Sequence, residues 1–179
     1  MPDVLPLNAT VPDFELAAND GRNYRLKQYL GNSALLLFFY PADFTPVCTA
    51  EVKAFCDDYS LFRERGITIF GISSDSVERH RNFADTCRSP FRLLSDPDLE
   101  IARRFGAVGL FSMRRAYYYI DIDGILRWQH AEVLPVFKLS NSRILEQVDR
   151  VERERRQLKS RRSVERSGRT AWQQNHEIH

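Results

Sequence analysis

The chain has 179 residues, of which 43% are hydrophobic and 12% aromatic, so it can bury the core of one domain and differs from a disordered chain. No apolar run approaches the ~20 residues needed to cross a bilayer, and the N-terminus lacks the basic and apolar segments of a secretory signal. Its three cysteines, without a CxxC or HExxH pattern, argue against a disulfide scaffold and the common zinc sites. We therefore expect a protein of the cytoplasm that does not engage a membrane.

The net charge of +2 is unevenly distributed along the chain. Residues 150–170 contain nine Lys or Arg and three Asp or Glu, and the last residues show no hydrophobic periodicity. We expect a folded domain over residues 1–150 and a basic, flexible tail over 151–179. Glutamates interrupt the arginines and Trp172 has no aromatic partners in series, so the pattern favours a solvated tail over a nucleic-acid contact.

The first half of the chain predicts a β-hairpin followed by a strand, a helix and a second strand. The hairpin turns at Asp20-Gly21, because glycine accepts the positive φ of a tight turn. Residues 34–40, "ALLLFFY", are apolar at every position, which is typical of a strand buried on both faces. Residues 47–65 show helical spacing, and 67–73, "ITIFGIS", form the next strand.

The second half predicts three helices and another hairpin. Ser76 is a candidate N-cap for the predicted helix over 77–87, and Pro90 prevents that helix from continuing. The second helix has acidic residues at its start and basic residues at its end, which suits the helix dipole. The predicted segments are helices over 77–87 and 96–106, a hairpin over 116–133 that turns at Asp123-Gly124, and a helix over 140–158 whose apolar side ends near Val151.

This order of elements predicts an α/β domain. The strands at 34–40 and 67–73 flank one helix, so they should be parallel with a right-handed crossover. A hairpin added to this parallel unit gives a mixed central sheet with helices on both faces. The expected architecture is a thioredoxin-like fold with an N-terminal β-hairpin.

Cys48 has the most distinctive position of the three cysteines. It follows the carboxyl end of the buried strand and lies at the start of the next helix, where ligands gather in open α/β sheets. Unpaired N–H groups and the helix dipole favour a thiolate there. A buried core cysteine is the ordinary alternative, but that role does not require this position.

The residues around Cys48 resemble the active-site loop of the peroxiredoxins. Pro41, Thr45 and Cys48 reproduce the family's pattern of a proline, three residues, a threonine or serine, two residues and a cysteine. The family often has a glutamate three residues later, which is Glu51 here. It also has an arginine before a late strand, and alignment on "YYIDIDG" assigns that role to Arg115, with the adjacent arginine as the alternative.

The segment "LLSDPD" and the "FG" at 105–106 are similar to the branch called bacterioferritin comigratory protein or peroxiredoxin Q. The resemblance covers roughly residues 6–150. It implies a thiol-dependent peroxidase in which the Cys48 thiolate attacks a hydroperoxide and becomes a sulfenic acid. It also implies thioredoxin or another thiol as reductant and a monomer or homodimer. This chemistry requires neither a metal nor an organic cofactor.

The resemblance assigns a role to each residue of the loop. Arg115 offers a permanent charge and planar donors to the thiolate and the peroxide. The hydroxyl of Thr45 donates and accepts, Pro41 shields the sulfur from water, and Glu51 holds the arginine. Glu51 as a first-turn residue that serves the helix dipole, and Arg115 as a surface residue, are the alternatives.

The cysteine that resolves the sulfenic acid is harder to assign. The resemblance places the usual resolving cysteine five residues after Cys48, where this chain has Lys53. Cys56 lies about 12 Å further along the same helix, beyond the ~7 Å between Cα atoms that a disulfide tolerates, and we interpret it as a core residue. Some peroxiredoxin Q relatives have the resolving cysteine in the next helix, so the resemblance makes Cys87, at the end of that helix, the candidate resolver. Direct reduction by an external thiol remains the alternative.

Two other functions fit parts of the pattern. A thioredoxin-fold redox sensor would use oxidation of Cys48 as a signal and would lack rapid turnover. A copper-handling relative needs a CxxxC motif and a histidine, and the cysteine spacing does not provide that motif.

Overall fold

The structure, a computed structural model, describes residues 4–109, 112–134 and 137–176, with side chains up to residue 165. Within these residues, seven strands form one sheet, with five helices and a 3-10 turn at Leu26–Gln28. The strands are β1 (Glu15–Ala18), β2 (Asn23–Arg25), β3 (Ala34–Phe39), β4 (Ile67–Ser73), β5 (Arg92–Ser95), β6 (Ala116–Ile120) and β7 (Leu126–Ala131). The helices are α1 (Pro46–Asp57), α2 (Tyr59–Glu64), α3 (Val77–Cys87), α4 (Glu100–Phe105) and α5 (Asn141–His176).

The sheet is mixed and has the order β2-β1-β5-β4-β3-β6-β7. Strand β3 pairs parallel with β4 and antiparallel with β6, which confirms the predicted parallel unit and the mixed sheet. All six side chains of β3 are buried, as the continuous apolar run predicts. The N-terminal hairpin of β1 and β2 is also confirmed. Among the helices of the described residues, none has the length and hydropathy required for a membrane span.

Alternate residues of β3 point into two different halves of the core. Leu36 and Phe38 belong to the half that contains Cys48 and α1, and the ring of Phe38 stacks on Phe55 at 4.6 Å between centroids. Leu35 and Leu37 belong to the half that packs on α4. Burial of each such side chain contributes roughly 1.5–3 kcal/mol, so the central strand is anchored on both faces. The loop that follows β3 and leads to Cys48 therefore begins at a rigidly held position.

Two predicted boundaries differ from the structure. The single helix predicted over 47–65 is divided at Asp58, whose carboxylate accepts a hydrogen bond from the side-chain amide of Asn141 at 3.0 Å. Strand β5 was not predicted, because it has only four residues and no alternating pattern. It pairs with β4 and β1, so its assignment depends on neighbours that are remote in sequence.

The last helix extends through the segment in which we expected a flexible tail, to His176. Residues that form helices well, chiefly Arg, Glu, Gln, Lys and Leu, dominate this stretch. Ion pairs also support it: Arg155 contacts Glu152 at 2.9 Å, and Lys159 contacts Asp123 of the β6–β7 turn at 2.7 Å. The predicted end of the last helix at residue 158 was therefore wrong, whereas the domain boundary at residue 150 and the flexibility of the basic tail remain predictions.

We expect removal of residues 160–179 to reduce the far-ultraviolet circular dichroism signal at 222 nm by the contribution of the helical residues from 160 to 176. The midpoint of thermal unfolding should change by no more than a few degrees, because the side chains from 160 to 165 are exposed and exposed positions contribute little to stability. An unchanged signal per molecule would show that this stretch is not helical in solution.

Candidate active site

Cys48 lies in the first turn of α1, just after the central strand. Thr45 is the N-cap of this helix, with φ −74° and ψ 148°, and its hydroxyl accepts a hydrogen bond from the backbone N–H of Cys48 at 3.4 Å. Pro46 opens the helix, where its missing N–H removes no intrahelical bond. The sulfur of Cys48 therefore lies at the positive end of the helix dipole, and the residue is only 1% exposed.

Arg115 reaches Cys48 from the neighbouring strand. Ala116 of β6 pairs with Phe39 at the end of β3, so the residue before Ala116 arrives beside the loop that carries the cysteine. The guanidinium Nη2 of Arg115 donates to the sulfur of Cys48 at 3.2 Å, and the residue is 2% exposed. Arg114 instead donates to the backbone carbonyl of Glu132. The structure thus brings Arg115, and not its neighbour, to Cys48.

Glu51 and Tyr117 complete the buried polar group. One carboxylate oxygen of Glu51 accepts from Nη1 of Arg115, and the other accepts from the hydroxyl of Tyr117. Burial raises the pKa of Glu51, and the positive charge of Arg115 opposes that rise. Burial disfavours the guanidinium, but the charges of Glu51 and Cys48 outweigh it and raise the pKa of Arg115. The arginine therefore stays charged and is oriented by Glu51.

Sequence reasoning missed Tyr117. Its hydroxyl also accepts from the backbone N–H of Leu139 at 3.1 Å, so it joins Glu51 to the segment before α5. Lys138, from the same segment, donates to the carbonyl of Ala50 at 3.3 Å. A signal was available, because residues two apart on a strand share a face, and Tyr117 is two residues after Arg115.

The loop between β3 and α1 carries the other two predicted residues. Pro41 and Thr45 are both partly buried, and the Thr45 hydroxyl donates to the carbonyl of Ala42 at 3.3 Å. Phe44, between them, has a φ of +63°, which costs a side chain other than glycine about 1–2 kcal/mol. Contacts elsewhere must therefore hold this loop in place.

Cys87 is the last residue of α3 and lies in the same half of the core as Cys48. All three cysteines are free thiols. Burial raises the pKa of Cys87, and burial together with the nearby Cys87 raises the pKa of Cys56 to about 11. Arg88, which follows α3, has a φ of +52°. The structure places Cys87 near Cys56 and records no bond from it to Cys48, so its predicted resolving role remains a prediction.

A second buried polar group lies behind the loop. Asp43, Asp75 and His80 each have a side-chain atom that could bind a metal ion, and these atoms lie within 4.8 Å of one another. Protein groups already contact them: Tyr40 donates to Asp43 at 2.6 Å, and Ser73 donates to Asp75 at 2.7 Å. We therefore interpret the group as a hydrogen-bonded network and not as a metal centre.

Replacement of Glu51 tests the buried ion pair. Glu51→Ala leaves the guanidinium of Arg115 without its carboxylate, and we expect the free energy of unfolding to fall by ~3–5 kcal/mol. Glu51→Gln keeps the shape and should cost less. Glu146→Gln, on the exposed face of α5, is the matched control and should cost no more than ~0.5 kcal/mol. Urea unfolding measures all three, and a loss below ~1 kcal/mol for Glu51→Ala would contradict the assignment.

Comparisons with known proteins identify the family to which the chain belongs. The AhpC/TSA family model matches residues 7–129. The chain is 37% identical over 122 residues to the chloroplastic peroxiredoxin Q of Sedum lineare, a match that covers 66% of this chain and 65% of the relative. It is 32% identical over 139 residues to peroxiredoxin Bcp of Bacillus subtilis, which covers 72% of this chain and 88% of that protein.

The crystal structure of peroxidoxin BcpB from Mycobacterium tuberculosis has a TM-score of 0.71 and 30% identity, and it covers 82% of this chain and 96% of that one. The chain spans between half and two thirds of the length of the chloroplastic relatives. The family model, the similar proteins and the fold lead to one conclusion: the chain belongs to the AhpC/TSA family, in which its relatives are the peroxiredoxin Q and Bcp proteins.

Proposed function

We propose that this protein is a thiol-dependent peroxidase that reduces hydrogen peroxide and organic hydroperoxides through Cys48. The observation that carries the proposal is the 3.2 Å hydrogen bond from Arg115 to the sulfur of Cys48, inside a buried site at a helix N-terminus. Both features favour a thiolate over a thiol. The names of the similar proteins, which are peroxiredoxins, support the same activity.

The reaction begins when the Cys48 thiolate attacks the terminal oxygen of the hydroperoxide. A sulfur–oxygen bond forms, the oxygen–oxygen bond breaks, and the terminal oxygen keeps its hydrogen in the sulfenic acid. The departing oxygen leaves as an alkoxide or hydroxide and takes a proton from solvent to become an alcohol or water. Cys48 is thereby oxidised by two electrons and the peroxide is reduced by two.

Arg115 and Thr45 stabilise the charge that moves during this step. Arg115 already donates to the sulfur, and its fixed charge meets the negative charge that develops on the peroxide oxygens. Thr45 has a hydroxyl that both donates and accepts, and its place at the N-cap puts it in the first turn with Cys48. Glu51 keeps the guanidinium aligned, and Pro41 shields the loop from water.

The sulfenic acid must then be reduced. In our proposal the thiol of Cys87 attacks the sulfur of Cys48 and expels water, and thioredoxin reduces the resulting disulfide. Cys87 is buried at the end of a helix, so this step requires local opening of that end. Direct reduction by an external thiol is the second candidate, and the raised pKa of Cys87 favours it because it lowers the thiolate fraction. We place the protein in the cytoplasm as a monomer or homodimer.

Cys48→Ser should abolish hydroperoxide consumption, because serine is not ionised near neutral pH and cannot form a sulfenic acid. Peroxide loss in the presence of thioredoxin, thioredoxin reductase and NADPH measures the rate. Cys56→Ser is the matched control, and it should keep at least half of the activity because Cys56, predicted as a core residue, is only partly buried and packs at the edge of the core. Activity retained by Cys48→Ser would contradict the proposal.

Treatment with one equivalent of hydrogen peroxide should produce a Cys48–Cys87 disulfide. Mass spectrometry of the unreduced peptides identifies the bond. In Cys87→Ser the Cys48 sulfenic acid should accumulate and be trapped by dimedone. A wild-type protein that shows Cys48 sulfenic acid beside a free Cys87 would contradict the resolving role and support reduction by an external thiol.

A further inference from the structure

Three residues of α3 contact the corner of the loop that leads to Cys48. His80 Nδ1 lies 2.7 Å from a carboxylate oxygen of Asp43, and the guanidinium of Arg79 donates to the backbone carbonyl of Asp43 at 3.1 Å. The ring of Phe83 packs on Phe44 at 5.0 Å between centroids. We call Arg79, His80 and Phe83 the α3 clamp.

Asp43 is fixed on every side. Its two carboxylate oxygens contact Tyr40 and His80, its carbonyl contacts Arg79, and its backbone N–H donates to Asp75 at 2.7 Å. The residue is 1% exposed. A surface loop does not require a residue held by four groups, two of them on its carboxylate, and burial of that carboxylate has a cost that these bonds must offset.

His80 is held as firmly as Asp43. The residue is fully buried, and its Nε2 lies 3.1 Å from the backbone carbonyl of Leu94. Nδ1 also lies 3.4 Å from the hydroxyl of Tyr40, and Nε2 lies 3.5 Å from the hydroxyl of Ser73. The histidine joins the loop to β5, because Leu94 belongs to that strand.

The clamp acts on the strained part of the loop. Phe44 has a φ of +63°, and such a conformation persists only where the surroundings impose it. Phe83 packs on the ring of Phe44, and the guanidinium of Arg79 lies 5.3 Å from the centre of that ring. Thr45 follows immediately, and its hydroxyl contacts both the Ala42 carbonyl and the N–H of Cys48.

We propose that His80 is a positioning residue of the peroxidase reaction: through Asp43, the α3 clamp holds Thr45 where it can bind the peroxide. The inference rests on the proposed function. It separates two contributions to the site, because Arg115 and the helix dipole stabilise the thiolate, whereas the clamp sets the position of the hydroxyl that meets the substrate. Loss of His80 should therefore slow attack on peroxide and leave the thiolate unchanged.

His80→Leu removes both ring nitrogens and their hydrogen bonds, and we expect the rate constant for oxidation of Cys48 by hydrogen peroxide to fall by about tenfold or more, since small misplacements of reacting groups have effects of this size. Competition with horseradish peroxidase for limiting peroxide measures this rate. The rate of Cys48 alkylation by iodoacetamide at pH 7, followed by mass spectrometry, should stay within about twofold of wild type.

His80→Asn is the rescue variant. The asparagine side-chain nitrogen can take the position of Nδ1 and keep a donor toward Asp43, so this variant should recover most of the peroxide rate. Tyr118→Phe is the matched control, because it loses one buried hydrogen bond, to the carbonyl of Phe105, in the other half of the core. It should lower the unfolding midpoint without changing the peroxide rate.

The results distinguish the possible explanations. A wild-type peroxide rate in folded His80→Leu, or a parallel loss of the peroxide and iodoacetamide rates, overturns the positioning role. If His80→Leu does not fold, Asp43→Asn replaces it, with the same expected loss and the same overturning result. A wild-type protein that leaves hydroperoxide intact overturns both this inference and the proposed function, whereas an active wild type with an equally active variant overturns this inference alone.

Discussion

The buried contact between Arg115 and Glu51 is the constraint on which the site depends. A guanidinium that is 2% exposed has lost the hydration that would stabilise it, and only close negative groups can replace that hydration. Glu51 from α1 and the sulfur of Cys48 are those groups. Because Glu51 lies on α1 and Arg115 immediately precedes β6, this pair of opposite charges joins the start of the helix to the start of the strand. The ion pair therefore determines where the cysteine lies.

The loop that carries Pro41 and Thr45 lies between two polar groups of different kinds. On one side, the guanidinium of Arg115, which Glu51 orients, places a positive charge beside the sulfur of Cys48. On the other side, the α3 clamp holds the backbone of the loop in place through its contacts with Asp43. In the proposed reaction, Arg115 stabilises negative charge on the sulfur of Cys48. The α3 clamp holds the position of the loop beside that sulfur. A reactive site needs both, because a thiolate without a positioned partner does not polarise the bond it must break.

Much of the fold could be predicted because its strongest signals are local. The apolar run of β3, the helical spacing after it and the turn glycines depend on residues near one another in sequence. The choice of Arg115 over its neighbour also followed from the sequence, through the resemblance at "YYIDIDG". The positions of Cys48 and Arg115 in the structure agree with those expectations, although the chemical roles of the two residues remain proposals.

The missed features depend on contacts between distant residues. Strand β5 is defined by its pairing with β1 and β4, and the break at Asp58 by an amide from α5. His80 resembled any polar residue of an amphipathic helix, and only the fold shows that it meets Asp43. The continuation of the last helix beyond residue 158 was missed for another reason, because that stretch has good helix formers but no apolar stripe for a hydrophobic pattern to detect.

In the proposed cycle, in which Cys87 resolves the sulfenic acid, the left-handed conformation of Arg88 affects how readily the end of α3 opens. Helices often end with a left-handed residue, usually glycine, and an arginine there stores strain that is released when the last turn opens. The amino-terminal half of α3 is tied down by Ser76 and His80, so opening can stop short of the loop. One helix can thus act as a rigid support at one end and a hinge at the other. In the proposed cycle, substitutions at residues 88 and 89 would therefore change the lifetime of the Cys48 sulfenic acid. They would leave the rate at which Cys48 reacts with peroxide unchanged.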